Sequence, residues 1–496
     1  MTRSFILFEL NEVPLRVVHH YAERHPHSAF AKVLQRGRQW EAVTPDQGHL
    51  SPWITWPTLH RGVPGADHGV VALGQDVAET DRKYPPLWQL LASAGRTVGL
   101  FGSLHSYPLP ENVRDYAFYV PDTFAAGPEA HPPQLSAFQK FNLHMVDRSG
   151  RNVSSEVPIK EALNFLVSSV PAGLRPATLA KVFQQVASER IWKHRSARRR
   201  TIQSILAFDL FLAQLQSKRP QAAFFFTNHV ASAMHRYWPA TFTADYLVTQ
   251  WEDAWVRRFS GEVDYAMGEA DHMLADLMAF ADRNPEYLIL VSGSMGQAAV
   301  DNPDRKIATE ILVRDMNKFL GQLGVDGGWE RRRTMEPTYT LAFDAEVSAD
   351  QFAAGLARLK IAGEPVRNRR LDARSIEFVL GSSNVRDDHF TVAIGNRAIA
   401  PEAMGVANVP IEDEVGAAAY HVPEGMLLAY DASQALRPGT AAQPVSTTRI
   451  APTLLKLLGV DVPATWTNPS TTCSSAATSW SRRTHPARSP RMLRAC

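Results

Sequence analysis

The chain of 496 residues contains almost no cysteine. Its two cysteines, Cys473 and Cys496, both lie near the carboxyl terminus. The rest of the chain therefore has no thiol for a disulfide, a thiolate metal site or a nucleophilic cysteine. Because such a chain can fold in a reducing compartment, we expect a cytoplasmic protein.

An excess of charge and long apolar runs are also missing. Lys and Arg number 52 against 50 Asp and Glu, so no charge imbalance points to nucleic acid or an anionic membrane as a partner. The run Phe5–Phe8 is interrupted by Glu9, Asn11 and Glu12 too early for the apolar core of a signal peptide. No segment approaches the roughly 18 apolar residues of a membrane span. We therefore predict a soluble protein without a membrane span.

Hydrophobic residues make up 45% of the chain, and their pattern predicts the fold class. Short apolar runs alternate with helical patterns such as 87–94 and 265–281. The runs are Phe5–Leu10, Thr97–Gly102, Ala222–Thr227, Tyr287–Ser292 and Met426–Tyr430. This alternation is typical of an α/β fold with a mostly parallel central sheet and helices on both faces. In such folds the pocket lies at the carboxyl ends of the strands.

Two segments look like insertions into this α/β domain, which we place at residues 1–465. Residues 138–217 are helical and basic in the middle, either as a lid over an anionic ligand or as a solvated helix face. The basic residues are Lys193, Arg195, Arg198, Arg199 and Arg200. Residues 301–418 are predicted to form a smaller α+β lobe. Residues 466–496 are rich in Ser, Thr, Arg and Pro and are predicted to be a disordered basic tail.

The most informative motif lies between Ser51 and Val70. It contains Thr55, one aromatic residue and Pro57, followed by a glycine and a Pro-x-x-x-His-Gly turn. Proline suits the first turn of a helix, so the motif predicts a helix that begins near Trp56. A hydroxyl there would lie beside unpaired N–H groups and the positive end of the helix dipole, where a phosphate oxygen is stabilised.

This motif resembles the nucleophile region of the alkaline phosphatase superfamily, most of all its type I phosphodiesterase/nucleotide pyrophosphatase branch. Other segments resemble that family's motifs in the family's order: a first strand ending in a metal-binding Asp, an Asp-x-x-x-His segment, a Ser-Asp-His-Gly strand end and a last His ligand. They are Phe5–Glu12, Phe226–His235, Leu290–Gly296 and His421–Gly425. The likeness extends from about Phe5 to Pro463.

The resemblance implies an alkaline-phosphatase-like fold and metal-dependent hydrolysis of phosphate esters, with Thr55 as the nucleophile. It also implies that His235 and His421 are metal ligands. The Asp of this metal site is replaced by Ala231, and His229 or Asn228 could take its place.

The other metal site of the family has lost its ligands in this chain. The positions of its carboxylates and imidazole are occupied by Asn11, Gly293 and Ser294. An amide, a glycine and a neutral hydroxyl are poor ligands for a divalent cation. We therefore predict that Asn11, Asn228 and Ser294 are pocket residues. At most one divalent metal, with zinc as the candidate, is expected, and complete loss of metal is the alternative.

Each candidate residue also has a purely structural interpretation. Thr55 could cap its helix, because without the adjacent metal its hydroxyl needs another base. His235 and His421 could be structural histidines held by hydrogen bonds.

Two functions therefore remain open. The first is a phosphoric ester hydrolase, phosphodiesterase-like and metal-dependent, that acts on a small-molecule phosphate ester. The second is a non-catalytic pseudoenzyme with a degenerate site that binds another anion or a protein partner. The sequence leaves the substrate and the oligomeric state open.

Overall fold

The computed structural model describes residues 3–147, 165, 169–246, 251–300, 308–334, 337–385, 390–410, 418–434, 436 and 443–466. Its strands are β1 Ser4–Leu10, β2 Arg38–Val43, β3 Val98–Phe101, β4 Phe118–Val120, β5 Ala222–Thr227, β6 Tyr287–Ser292, β7 Gly296–Ala299, β8 Thr309–Val313, β9 Trp329–Arg332, β10 Thr338–Phe343, β11 Leu359–Ile361, β12 Glu364–Pro365, β13 Arg367–Arg370, β14 Ser375–Val379, β15 Val392–Ile394, β16 Arg397–Ile399, β17 Val406–Pro410, β18 Ala419–Val422, β19 Glu424–Asp431 and β20 Val445–Ser446.

The α-helices in the same ranges are α1 Leu15–Arg24, α2 Ala29–Arg36, α3 Pro52–Arg61, α4 Gly65–His68, α5 Ala78–Lys83, α6 Leu87–Ser93, α7 Ser136–Asp147, α8 Pro176–Ile191, α9 Arg199–Lys218, α10 His229–Thr241, α11 Asp253–Phe259, α12 Glu262–Arg283, α13 Met316–Gln322, α14 Glu346–Arg358, α15 Pro401–Met404 and α16 Ile450–Leu457. Across the described part of the chain, none of these helices combines the length and the apolar character that crossing a membrane requires.

An eight-stranded sheet forms the centre of the fold, with the strand order β20-β2-β19-β6-β1-β5-β3-β4. Neighbouring strands pair in parallel except at β19, which is antiparallel to both β2 and β6. All five predicted apolar runs are strands of this sheet. The prediction of an α/β fold with a mostly parallel sheet is therefore confirmed.

Alternate residues of β1 enter two separate hydrophobic cores. Ile6 and Phe8 pack on one face of the sheet with residues of α9, α10 and α12, whereas Phe5 and Leu7 pack on the other face with residues of α3, α6 and α16. None of these four side chains has exposed surface. Helices thus cover both faces of the sheet, which leaves the strand ends as the place where polar residues can gather.

A smaller lobe lies between residues 308 and 410. It contains a sheet with the order β13-β14-β10-β9, and α13 and α14 pack with this sheet around a separate core. The lobe falls within the predicted range 301–418, of which 301–307 and 411–417 lie outside the described residues.

The insertion predicted at 138–217 is mostly helical where it is described. It contains most of α7, all of α8 and nearly all of α9. Residues 148–164 and 166–168 lie outside the described part of the chain.

Three consecutive basic residues of this insertion contact three different helices. Arg198 pairs with Glu262 on α12, and Arg199 pairs with Glu189 on α8. Arg200 instead donates to the Ser232 hydroxyl on α10 at 2.9 Å. All three consecutive arginines thus contact another helix, and Arg200 also lines the cavity at the strand ends.

The described chain ends at Trp466, where the tail was predicted to begin. Trp466 is only 3% exposed and belongs to the core that contains α3 and α16. It packs over Gly62, where a Cβ atom would lie 2.7 Å from the indole ring. Trp466 is thus part of the folded domain, and 467–496 lie outside the described residues.

Candidate metal centre

Three neighbouring strands end together and supply most of the polar residues of the candidate site. Strands β5, β1 and β6 pair in parallel. The residues that follow them are Asn11 and Glu12 after β1, Asn228 and His229 after β5, and Gly293 and Ser294 after β6. Glu12 has a φ of 58°, which is uncommon for a residue other than glycine. Its side chain therefore does not continue the alternation of β1.

The Glu12 carboxylate lies between two imidazoles. Its Oε2 atom is 2.9 Å from Nε2 of His235 on α10 and 3.3 Å from Nε2 of His421 on β18. The side chain of Glu12 is only 3% exposed. One ligand atom from each of the three residues lies within 4.8 Å of the others. Among the residues that the structure describes, no other group of three His, Cys, Asp or Glu side chains meets this condition.

Backbone carbonyls fix the orientation of both imidazoles. Nδ1 of His235 is 2.8 Å from the Ala419 carbonyl oxygen, and Nδ1 of His421 is 2.8 Å from the Leu50 carbonyl oxygen. A carbonyl oxygen only accepts, so Nδ1 is the protonated nitrogen in each ring. Nε2 of a neutral ring then turns a lone pair towards Glu12. A lone pair that faces an ionised carboxylate is unfavourable, and a metal ion bound between the three side chains would relieve this repulsion.

The pKa shifts agree with this geometry. Burial raises the pKa of the Glu12 carboxyl, but the neighbouring His421 and His235 imidazoles outweigh burial and hold the pKa well below its usual range. Burial lowers the pKa of the His421 imidazole, yet the Glu12 carboxylate more than offsets this and raises it. The Glu12 carboxylate is therefore ionised and available to a cation.

Two amides hold the Glu12 carboxylate in place. Asn11 donates to its Oε1 at 2.8 Å, and Gln297 on β7 donates to its Oε2. The amide of Asn11 also donates to Asn228 at 2.7 Å, and its oxygen accepts from the Trp56 indole at 2.7 Å. Since this oxygen is engaged, Asn11 orients Glu12 rather than offering a ligand atom. Metal-binding side chains are commonly oriented in this way.

Helix α3, which carries Thr55, begins earlier than the sequence predicts. Ser51 is the N-cap and accepts from the Trp53 N–H, and the helix starts at Pro52. Pro57 therefore lies inside the helix and cannot donate to the Trp53 carbonyl. That carbonyl instead accepts from His105 at 3.0 Å.

The prediction that Thr55 lies beside unpaired N–H groups is consequently wrong. The N–H groups of Ile54 and Thr55 both donate to the Ser51 carbonyl, at 2.9 and 3.0 Å. With Trp53 also satisfied by Ser51, this helix end offers no cradle of free N–H groups to a phosphate.

The Thr55 hydroxyl is fully buried and hydrogen-bonded. It donates to the Ser51 carbonyl at 3.2 Å and shares a hydrogen bond of 2.8 Å with the Ser294 hydroxyl. The structure thus brings Thr55 and Ser294 together. Neither of these partners is a base, since one is a carbonyl and the other a neutral hydroxyl.

His229 lies outside the group formed by Glu12, His235 and His421, which we call the Glu12 group. Its Nδ1 is 2.7 Å from the Thr227 hydroxyl, and its Nε2 is 3.0 Å from the Ala266 carbonyl oxygen. Burial lowers the pKa of its imidazole to about 4. Both ring nitrogens are engaged in the packing between β5, α10 and α12, so His229 offers no nitrogen to a metal shared with His235.

A second buried carboxylate, that of Glu9, ties helix α3 to the sheet. It is 2.7 Å from Nε2 of His60 on α3, and it accepts from Ser103 at 2.7 Å. All three residues have no exposed surface. This group lies under the helix that carries Thr55, but none of its hydrogen bonds reaches the Glu12 group.

We expect Glu9→Ala to lower the free energy of unfolding by about 3–5 kcal/mol, because it leaves the polar groups of His60 and Ser103 buried without their partner. Glu9→Gln keeps the shape and two hydrogen bonds, so its loss is expected to be smaller. Urea unfolding of both variants measures the difference. Equal losses below about 1 kcal/mol would show that this contact does not hold α3.

A cavity of about 170 Å³ adjoins the site. Asn11 and Asn228 line it at the strand ends, and helices α7 and α9 of the insertion line it from the other side. Asn11 therefore forms part of the cavity wall while its amide contacts Glu12.

The sequence identified His235 and His421, but it did not identify Glu12 as the third member of the group or Gln297 as the residue that donates to Glu12. The likeness to a strand that ends in Asp pointed to Asn11, and the carboxylate follows one residue later. A carboxylate directly after a buried strand was the available signal for Glu12. Gln297 carried no such signal.

No protein-family profile matches the chain, and no curated protein matches it by sequence. Several solved structures match the chain in three dimensions. An inactive form of murine ectonucleotide pyrophosphatase/phosphodiesterase 5 in complex with AMP is 12% identical, with 96% of this chain and 99% of that chain covered and a TM-score of 0.41. Wild-type alkaline phosphatase PafA is 14% identical, with 95% and 99% covered and a TM-score of 0.43. Phosphonoacetate hydrolase from Sinorhizobium meliloti with phosphonoacetate is 14% identical, with 92% and 96% covered and a TM-score of 0.40.

The names of the first two proteins are those of the branch and of the superfamily whose motifs the sequence resembles. At these identities and TM-scores the likeness does not extend to the activity of this chain.

Proposed function

We propose that the chain is a phosphoric ester hydrolase, with phosphodiesters as the favoured substrates, that uses one divalent cation held by Glu12, His235 and His421. The observation that carries the proposal is the orientation of the two imidazoles. Both Nδ1 atoms are held by backbone carbonyls, so both Nε2 atoms face the same carboxylate oxygen. Two imidazoles and one carboxylate form a known set of protein ligands for catalytic zinc.

These residues fit a divalent cation, with zinc as the candidate. When bound, the cation would polarise a phosphoryl oxygen and stabilise the negative charge that develops on it. Asn11 and Gln297 would keep the Glu12 carboxylate in position, and the carbonyls of Leu50 and Ala419 would keep the imidazoles in the required tautomer.

Thr55 is our candidate nucleophile. The Leu50 carbonyl that holds His421 lies next to Ser51, the N-cap of the helix that carries Thr55. In this proposal the Thr55 oxygen forms a bond to phosphorus while the bond between phosphorus and the oxygen of the leaving alcohol breaks, and the proton of the Thr55 hydroxyl passes to that leaving oxygen. Water then attacks the phosphorus of the threonyl ester, which releases the phosphate and returns the proton to the Thr55 oxygen. Ser294 orients the Thr55 hydroxyl.

A non-catalytic function is the second candidate, and the state of Thr55 favours it. The hydroxyl has no exposed surface and contacts a carbonyl and a neutral hydroxyl. In this case the chain would bind a cation, an anion or both, but would not turn over a phosphate ester.

Hydrolysis of bis(4-nitrophenyl) phosphate by the full chain tests the proposal. We expect turnover with one equivalent of zinc, loss of turnover after chelation, and loss of at least about 100-fold in His235→Ala. The exposed His27 provides the control His27→Ala, which should keep its turnover. Zinc binding without turnover would favour the non-catalytic function, and absence of zinc binding would reject the metal centre.

A further inference from the structure

Five aromatic side chains form part of the wall of the cavity beside the candidate metal centre. Trp53 of α3, Phe101, Phe124, Phe138 of α7 and Phe226 line it. Rings of this kind bind flat apolar groups by contact area and by edge or face stacking. The wall is formed jointly by the strand ends and by the helical insertion.

One strongly basic side chain also lines this cavity. Arg200 belongs to the first turn of α9, and its guanidinium donates to the Ser232 hydroxyl at 2.9 Å. Ser232 also lines the cavity and lies four residues after Asn228 on α10. Residues four apart share one face of a helix, about one turn apart. The positive charge therefore lies roughly one helical turn from Asn228.

Four neutral polar residues of the wall belong to two separate hydrogen-bonded groups. Gln203 donates to Asn142 at 2.6 Å, and Asn142 donates to Gln139 at 3.2 Å. Gln203 and Asn142 both line the cavity. Asn228 accepts from Asn11, which also contacts Glu12. A chain of side-chain contacts thus leads from the Glu12 carboxylate to the wall of the cavity.

The volume of the cavity is sufficient for one aromatic ring. A cavity of about 150 Å³ lined by apolar side chains holds one benzene molecule, and this cavity measures about 170 Å³. A single six-membered ring therefore fits this space.

We infer that this cavity binds the organic group of the substrate, and that this group is a single ring, or an apolar group of similar size, that bears its own anionic substituent. Arg200 pairs with that substituent, and the aromatic residues contact the ring. That the bound molecule is a substrate rests on the proposed function. Binding at the cavity itself requires neither a metal ion nor turnover.

Binding of phenylacetate to the full chain, measured by calorimetry after dialysis against a chelator, tests the inference. Phenylacetamide has the same shape without the charge, and acetate has the charge without the ring. We expect phenylacetate to bind about tenfold or more tightly than phenylacetamide, because a hydrogen bond to a charged group is the stronger one. Acetate is expected to bind more weakly than both.

Two variants separate the contributions of charge and ring. Arg200→Gln should remove the preference for phenylacetate over phenylacetamide, and Phe138→Ala should weaken the binding of both to a similar extent. Arg199→Gln is the matched control, since Arg199 pairs with Glu189 and does not line the cavity. It should keep the preference.

The inference is overturned if phenylacetate does not bind, or if Arg200→Gln and Arg199→Gln keep the same preference. Neither outcome affects the hydrolase proposal, because the binding is measured without metal and without turnover. Conversely, binding with the expected preference supports the cavity even if bis(4-nitrophenyl) phosphate is not hydrolysed.

Discussion

Glu12→Gln is expected to weaken the binding of zinc by more than about 100-fold while leaving the fold intact. Groups that merely orient a metal ligand typically contribute 10–100-fold to affinity, and Glu12 is proposed as a ligand itself. The substitution removes the charge and keeps the size of the side chain. A neutral amide is a much weaker ligand for a divalent cation than a carboxylate.

Competition with a chromophoric chelator measures this affinity. Glu424 lies at the start of β19 with an exposed side chain, so Glu424→Gln is the matched control and should bind zinc like the unmodified chain. His421→Ala should lose affinity as Glu12→Gln does. If Glu12→Gln binds zinc as tightly as Glu424→Gln, the carboxylate is not a ligand.

Thr55→Ala is expected to lower kcat/KM for bis(4-nitrophenyl) phosphate by at least about 100-fold. The loss follows if the hydroxyl forms the bond to phosphorus, because alanine offers no atom in its place. Thr55→Ser keeps the hydroxyl and should retain part of the activity. Zinc affinity should be unchanged in both variants, because Thr55 is not one of the three proposed ligands.

Thr58→Ala provides a matched control for this experiment. Thr58 lies one turn later in the same helix and is fully buried. Its hydroxyl donates to Asp46 at 2.6 Å and lies 3.1 Å from the Ile54 carbonyl oxygen. It should lose stability without losing turnover per folded molecule. If Thr55→Ala behaves in the same way, Thr55 is a structural residue, and its loss should amount to about 1 kcal/mol of stability.

Much of the fold could be predicted from apolar patterns. The five predicted strands, from Phe5–Leu10 to Met426–Tyr430, are buried runs between helices, and burial on both faces produces this continuous apolar pattern. The direction of β19 could not be predicted, because a buried strand has the same pattern in either direction. Strands β4 and β20 are too short to show a pattern at all.

The start of α3 was predicted wrongly for a local reason. Pro57 suggested a first turn, whereas Ser51 and Pro52 supply the N-cap and the first helical residue. The helix tolerates Pro57 because His105 occupies the carbonyl that a backbone N–H would otherwise contact. A contact with a residue that is distant in sequence cannot be deduced from the motif alone.

The candidate site was predictable only in part. His235 and His421 were identified by their place in the motifs, and the structure brings them together. Glu12 depends on a left-handed φ of 58°, which redirects its side chain and which no sequence pattern signals for a glutamate. Arg200 is one of several consecutive basic residues in the sequence. Only the packing of α9 against α10, which places Arg200 beside Ser232 in the cavity wall, distinguishes it from Arg199.

X-ray absorption at the zinc edge tests the central claim most directly. For the full chain loaded with one equivalent of zinc, we predict scattering from two imidazoles and at least one oxygen ligand at about 2.0–2.2 Å. In His235→Ala, one imidazole should be lost. A spectrum without imidazole scattering, or a spectrum that His235→Ala leaves unchanged, would contradict a metal centre formed by Glu12, His235 and His421.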